Sequence, residues 1–223
     1  MSQVITLTKY KGGQGASVAA AVLSHVLQEH ARIVLISDTF DALAALGLSM
    51  PSDDYTPNVS NRDRAHRLDF LRVGDTDTSD PIAKQVAQAI NAEDVPTLAV
   101  VDLPPALMPS PDEFRAWSLY SVAPVLVCRP DYLALRSTVA ETSAPPTVLT
   151  FDEPERALSA RDVQTVLRND AHMVAPWSPA FARAIDAGLL TYRLDTMRDG
   201  LQYLDALAPL IRSAREWLHA LTV

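Results

Sequence analysis

The chain has 223 residues, of which 48% are hydrophobic and 21% are charged, and its formal net charge at pH 7 is −8. This composition excludes a largely disordered chain and predicts one α/β domain over residues 1–223, with no run near the roughly 20 apolar residues of a membrane span. The acidic balance argues against a surface that binds polyanions all over but is compatible with a local basic patch. Residues 4–8 begin a strand pattern without the basic segment of a signal peptide, so we expect a cytoplasmic protein.

The first part of the chain alternates apolar runs with helical patterns. Residues 4–8 and 33–36 are runs rich in β-branched side chains, and residues 17–30 between them have apolar positions at helical spacing. Two buried strands joined by a helix predict a βαβ unit with parallel strands. A short helix is predicted over residues 40–48, and the polar residues 49–66, with their prolines and asparagines, indicate an exposed loop.

The same alternation continues to the end of the chain. Further strands are predicted over residues 68–73, 98–101, 124–128, 146–151 and 172–175, and further helices over residues 80–90, 112–119, 132–140, 159–168, 179–187 and 200–221. Without internal repeats or low-complexity linkers, this pattern predicts a single doubly wound, mainly parallel sheet with helices on both faces. The single cysteine, Cys128, ends an apolar run and is predicted to be a core residue rather than a nucleophile.

A glycine-rich turn separates the first predicted strand from the first predicted helix. It reads KGGQGAS over residues 11–17, and its three glycines let the backbone turn tightly and direct N–H groups at an anion. Ser17 has a hydroxyl suited to Mg²⁺, and Asp102, at the end of a later strand, is suited to hold that ion through water. Ala16 occupies the position where a nucleotide-binding loop normally has a phosphate-binding lysine. The alternative is that this turn has only a structural role and binds no anion.

These motifs resemble those of the ParA/MinD family of deviant P-loop ATPases, which includes the CpaE/TadZ-type pilus-localisation proteins. Residues 11–17 are similar to the loop KGGxGK[ST], residues 100–105 (VVDLPP) to the switch II segment, and residues 125–131 (VLVCRPD) and 184–188 (AIDAG) to later family segments. The resemblance covers nearly the whole chain and implies a P-loop NTPase-like fold and an ATP or ADP cofactor with Mg²⁺. The residues that it implies around the cofactor are Gly12, Gly13, Gln14, Gly15, Ala16, Ser17 and Val18, with Ser17 and Asp102 at the metal.

The family loop has two lysines, and this chain matches one of them. Lys11 matches the signature lysine that reaches across a nucleotide-sandwich dimer to the partner's phosphates. The second lysine, which holds the β- and γ-phosphates in its own subunit, falls at Ala16 and is absent. Loss of one hydrogen bond to a charged group removes about 1.5–3 kcal/mol, which weakens binding roughly ten- to a hundredfold. We therefore predict that the chain binds nucleotide more weakly than a protein with both lysines.

Two further departures from the family concern hydrolysis and adenine recognition. The Asp-x-Asp that usually follows the second strand is matched only in part by Asp38 and Asp41. Thr150 or Phe151 stands where the family often has an adenine-reading asparagine. We therefore expect a very slow ATPase or none, with Lys11, Asp38 and Asp41 as the candidate catalytic residues.

The resemblance implies a partitioning or positioning protein that acts as a homodimer and recruits a partner, in DNA segregation or in the localisation of a cellular machine. That partner would be ParB-like or a component of the machine. One alternative is an active but slow ATPase that uses Lys11 in trans, and another is a nucleotide-free structural binding module. Membrane binding would use the amphipathic C-terminal helix, although core packing explains its apolar stripe better. Non-specific DNA binding would use the arginines of the last third, where ten acidic residues favour a solvated surface instead: Arg183, Arg193, Arg198, Arg212 and Arg215.

Overall fold

The computed structural model describes residues 2–48, 68–73, 81–91, 97–116, 119–141 and 147–220. Within these ranges the strands are β1 (Ser2–Thr8), β2 (Arg32–Ser37), β3 (Leu68–Arg72), β4 (Thr97–Asp102), β5 (Leu119–Val127), β6 (Val148–Asp152) and β7 (His172–Pro176). The helices are α1 (Ala16–Leu27), α2 (Asp41–Ala45), α3 (Ile82–Ile90), α4 (Pro111–Ala116), α5 (Tyr132–Glu141), α6 (Ala160–Leu167), α7 (Pro179–Asp186), α8 (Leu190–Arg193) and α9 (Arg198–Ala220). The loop predicted over residues 49–66 lies outside the described ranges.

The seven strands form one parallel sheet in the order β3-β2-β4-β1-β5-β6-β7. This arrangement confirms the predicted doubly wound sheet. Strand β1 lies at its centre, with β2, β3 and β4 on one side and β5, β6 and β7 on the other, and β4 is inserted between β2 and β1. In such sheets a crevice opens at the carboxyl ends of the strands where the winding reverses, and ligands bind there.

Alternation along the central strands divides the core between the two faces of the sheet. In β2, Ile33 and Leu35 belong to the cluster covered by α1 and α9, whereas Val34 and Ile36 pack with the side chains of α3. Successive side chains of a strand point to opposite faces, so an unbroken apolar run is buried on both sides only when helices cover both faces. The predicted two-sided helical cover is therefore confirmed.

Strand β5 is longer than the sequence indicates. A strand is predicted from Pro124 because proline lacks a ladder N–H, yet β5 begins at Leu119 and pairs with β1 on both sides of Pro124. In the part of the chain that the structure describes, β6 pairs with β5 at Leu126 and Val127 only. Among the described residues, β1 is the only strand that pairs with Pro124. The Leu126 N–H donates to the carbonyl of Thr147 beside β6, so the N–H position of Pro124, two residues earlier, faces away from β1 and its loss removes no hydrogen bond to β1. The four-residue helix α8 was not predicted either.

Helix α9 packs its apolar side against the sheet. Tyr203, Leu207, Ala214 and Leu218 are buried in the same cluster as the buried side of α1. None of the helices in the described ranges combines the length and the apolar composition of a membrane span. The five arginines considered for DNA binding are all exposed, on or beside α7, α8 and α9: Arg183, Arg193, Arg198, Arg212 and Arg215.

The Cys128 thiol is expected to be unreactive while the protein is folded. It is buried, and burial raises its pKa from 9.0 to about 11, although a hydrogen bond from Thr138 acts in the opposite direction. The protonated thiol thus favours the folded state below pH 9.0, and this stabilisation is lost as the pH rises toward 11. A disulfide reagent at mildly alkaline pH should label one thiol per chain in denaturant and none in buffer. Rapid labelling of the folded protein would contradict the assignment.

Candidate functional site

The glycine-rich turn lies at the carboxyl end of the central strand β1 and leads directly into α1. Gly13 and Gly15 have φ angles of 72° and 88°, in the left-handed region that glycine adopts without strain. Gly15 is the N-cap of α1 and supplies no side-chain cap, so no side chain of the cap residue occupies the N–H groups of the first turn. Amides of this kind, at the positive end of a helix dipole, form a cradle for an anion such as phosphate.

The turn is held in place from the side of β5. Gln14 is buried, and its Oε1 accepts a 2.7 Å hydrogen bond from the N–H of Arg129. The Arg129 guanidinium donates to the carbonyl of Gly13 at 3.2 Å and to Oε1 of Glu153 at 2.6 Å. It also stacks 4.7 Å from the ring centroid of Trp177. Arg129 therefore ties the phosphate-loop backbone to residues beyond β5, β6 and β7, a role that the sequence analysis missed.

Lys11 is exposed and bound to its own chain. Its Nζ donates to Oδ1 of Asp131 at 3.1 Å, and Gln14 lies 3.4 Å from the other carboxylate oxygen. Burial acts to raise the pKa of Asp131, but the Ala134 N–H, Lys11 and Gln14 together hold that pKa below its ordinary value. Asp131 is therefore ionised at neutral pH, and it holds the Lys11 ammonium beside the turn.

The next residues of the loop turn into α1. Ala16 is buried in the core cluster on the α1 side of the sheet, and Val18 is half-buried and lines the cleft. Ser17 Oγ donates to Oδ2 of Asp102 at 2.6 Å. The sequence predicts that Ser17 and Asp102 act together, and the structure places them in direct contact.

A side chain that the sequence analysis missed completes this group. Lys9, the residue after β1, donates from Nζ to Oδ1 of Asp102 at 2.8 Å and lies 3.5 Å from Ser17 Oγ. The Lys9 side chain is 14% exposed and that of Asp102 is 0% exposed. The available signal was a lysine two residues before a phosphate loop that has alanine at residue 16.

The candidate catalytic aspartates lie in the same cleft. Asp38 follows β2 and is half-buried, and its Oδ1 is buried without a hydrogen-bond partner in the described part of the chain. Asp41 is exposed in the first turn of α2. Both residues line the cleft that contains the turn. The unpaired Asp38 oxygen is able to accept a hydrogen bond from a bound ligand or water.

The cleft has a volume of about 660 Å³ and runs from the turn to α7, where Trp177 and Asp186 line its far side. This volume is within the range of small-molecule sites. All predicted site residues from Lys11 to Val18, together with Asp38 and Asp41, line it. Asp102 lies beneath them, joined to the cleft through Ser17 and Lys9.

Both carboxylate oxygens of Asp102, which is predicted to hold Mg²⁺ through water, already accept hydrogen bonds in this structure. Mg²⁺ requires oxygen ligands at about 2.0–2.1 Å in near-octahedral geometry. One Asp102 oxygen accepts from the Lys9 ammonium, and the other accepts from the hydroxyl of Ser17. In the described ranges, no group of three or more His, Cys, Asp or Glu side chains comes together to hold a metal ion.

No protein-family model matches the chain, and no curated protein sequence matches it. Solved structures match it over nearly its whole length. A chain of the MinC:MinD cell division protein complex of Aquifex aeolicus has a TM-score of 0.67 at 16% identity, with 94% of this chain and 96% of that chain covered. MinD of Pyrococcus horikoshii, complexed with Mg-ADP, has a TM-score of 0.59 at 16% identity, with 97% and 96% covered.

A plasmid partition protein of Borrelia burgdorferi bound to AMPPNP has a TM-score of 0.58 at 14% identity, with 94% of this chain and 99% of that chain covered. Identities this low establish the fold. That fold is the one that the loop and switch II motifs predict. The chain has the P-loop fold shared by the MinD and ParA ATPases.

Proposed function

We propose that this chain is a ParA/MinD-like positioning or partitioning protein that binds ATP or ADP weakly and hydrolyses ATP very slowly or not at all. The observation that carries the proposal is a complete glycine cradle at the end of β1 in which residue 16 is a buried alanine. The Pyrococcus MinD is complexed with Mg-ADP and the Borrelia protein is bound to AMPPNP, which supports assigning this cleft to a nucleotide.

In this proposal the backbone of the turn retains nucleotide binding, and the missing lysine at residue 16 weakens hydrolysis. The turn amides and the α1 dipole remain, and they contact phosphate through backbone atoms that do not depend on residue 16. The missing ammonium removes about 1.5–3 kcal/mol of phosphate binding. Phosphoryl transfer depends on electrostatic stabilisation of developing charge, so hydrolysis loses more than binding does.

We expect ATP titration by calorimetry to detect weak binding and phosphate-release assays to detect little or no turnover. The comparison variant is Ala16→Lys, which should bind ATP about ten- to a hundredfold more tightly. Circular dichroism and thermal melts establish first that the variant is folded. Wild-type turnover equal to that of the folded variant would refute the weakened site.

A second candidate is an active, slow ATPase that uses Lys11 across a dimer. The Lys11–Asp131 contact is a single exposed ion pair, and such pairs contribute only about 0.2–1 kcal/mol, so a partner's phosphate is able to compete for the ammonium. Under this alternative, Lys11→Ala abolishes a measurable wild-type turnover. If Lys11→Ala instead leaves a slow turnover intact, the trans role is excluded.

Dimerisation and partner recruitment belong to the proposal. Helix α5 exposes three apolar side chains, Tyr132, Leu133 and Val139. Beside them, Tyr10 and the prolines that follow β4 line a second cavity of about 820 Å³. Exposed apolar groups next to a nucleotide cleft are suited to a partner or to a second copy of the chain. The third candidate, a structural binding module with an empty anion site, predicts no heat of ATP binding under any condition.

A further inference from the structure

Lys9, Ser17 and Asp102 form a compact group beneath the phosphate loop. Each Asp102 oxygen has its own donor, at 2.8 Å from Lys9 and 2.6 Å from Ser17, and the ammonium lies 3.5 Å from the hydroxyl oxygen. The Asp102 side chain is fully buried. A buried carboxylate is stable only when it is paired and hydrogen-bonded, and here the lysine supplies the charge.

The position of this ammonium is unusual for a phosphate loop. Residue 16, which normally carries the cation, is an alanine, and the ammonium of Lys11 is held by the half-buried Asp131. Lys9 instead reaches the first turn of α1 from the end of β1 and contacts Ser17 and Asp102. These two residues are the ones that a divalent cation would use in a P-loop site.

We infer that the Lys9 ammonium replaces the divalent cation, so that the loop binds the phosphates of a nucleotide without Mg²⁺. This inference rests on the proposed nucleotide binding and specifies which cation contacts the bound phosphates. A lysine ammonium has three N–H donors. Two are directed to Asp102 and Ser17, and the third is left for a phosphate oxygen at the turn.

Mg²⁺ competes poorly for this position. It gives up its water ligands reluctantly and prefers free carboxylate or hydroxyl oxygens. Here Asp102 is already neutralised by Lys9, whose ammonium also lies 3.5 Å from Ser17 Oγ. A divalent ion bound to the same oxygens would also be repelled by the ammonium, and this repulsion is strong in a buried site.

The test is calorimetric titration of the full chain with ATP, once with excess EDTA and once with excess Mg²⁺. For the wild type, the two dissociation constants should agree within about threefold. Lys9→Met should weaken binding in EDTA by about ten- to a hundredfold, because it removes a charged donor. Lys9→Ser frees Ser17 and Asp102 for the metal, so its ATP binding should depend on Mg²⁺.

Two further variants serve as controls. Lys84→Met removes a lysine of α3 that does not line the cleft, and its affinity for ATP should match that of the wild type. Lys9→Met leaves Asp102 buried without its cation, which threatens folding. The variant Lys9→Met/Asp102→Asn restores charge balance, and it should also lose the binding measured in EDTA.

The outcomes separate the inference from the proposed function. Wild-type binding that requires Mg²⁺, or binding in EDTA that the folded double variant retains, would overturn the role of Lys9 while nucleotide binding stands. Absence of ATP binding in both buffers would overturn both. Metal-independent wild-type binding that is lost in the folded double variant supports the inference.

Discussion

Replacing Gly15 with alanine is expected to lower the free energy of unfolding by about 2–5 kcal/mol. Two causes add. Gly15 has a φ of 88°, where an L side chain is strained by about 1–2 kcal/mol. In addition, an alanine Cβ would lie 2.7 Å from Cζ of Phe151, a fully buried ring, and forcing extra volume into a packed core costs about 1–3 kcal/mol.

The neighbouring glycines of the turn separate these two causes. Gly13→Ala has the backbone strain without the collision, because its φ is 72° and no atom lies within 4 Å of an added Cβ. Gly12→Ala has neither, since its φ is not positive and its surroundings are equally open. Urea unfolding followed by circular dichroism should rank the losses of stability as Gly15→Ala, then Gly13→Ala, then Gly12→Ala, with the last within about 0.5 kcal/mol of the wild type.

Equal losses for Gly15→Ala and Gly13→Ala would mean that the Phe151 ring moves aside at no cost. The packing argues against this. Phe151 lies 5.3 Å from the ring centroid of Trp177 and 6.0 Å from that of Tyr203, and Tyr203 in turn contacts Phe181. The phosphate loop therefore rests on an aromatic core, and a shift of this ring would also displace residues that line the cleft.

Replacing Asp69 with alanine is expected to destabilise the protein by about 3–5 kcal/mol, because it removes a buried carboxylate that pairs with the buried guanidinium of Arg32. Arg32 Nε donates to Asp69 Oδ2 at 2.6 Å, between β2 and β3, and the two side chains are 5% and 6% exposed. The same guanidinium donates to the carbonyl of Ala89 at 3.0 Å, near the end of α3. The pair thus joins two strands to the helix that covers them.

The control for Asp69 is an ion pair of similar geometry at the surface. Asp112 and Arg115 are 2.9 Å apart but 88% and 64% exposed, so Asp112→Ala should change stability by less than about 1 kcal/mol. Arg32→Leu/Asp69→Leu removes both charges and should lose less stability than Asp69→Ala alone. If the double variant loses as much as Asp69→Ala, the effect comes from packing rather than from breaking this charge pair. Chemical unfolding curves of all three variants provide the measurement.

Local sequence patterns were sufficient to predict most elements of the fold. The strands have β-branched apolar runs and the helices have apolar positions at 3.6-residue spacing, and both patterns are readable without knowing any partner. Ser159 caps the N-terminus of α6 through a capping box with Asp162, a signal that is entirely local. The start of β5 differs from the prediction because Pro124 disfavours a strand locally. The described residues place no second strand beside Pro124, and this removes the penalty.

The features of the candidate site likewise fall into those that local sequence predicts and those that only the tertiary structure shows. The sequence alone determined the phosphate turn, its missing lysine at residue 16 and the strand-end position of Asp102, because these features lie in single contiguous segments. Only the tertiary structure decided that Lys9 is the cation beside Ser17 and Asp102, and that Arg129 holds the turn through Gly13 and Glu153. The reason is that these contacts join residues 24 to 116 positions apart. Only the order of the strands in the sheet brings such residues together.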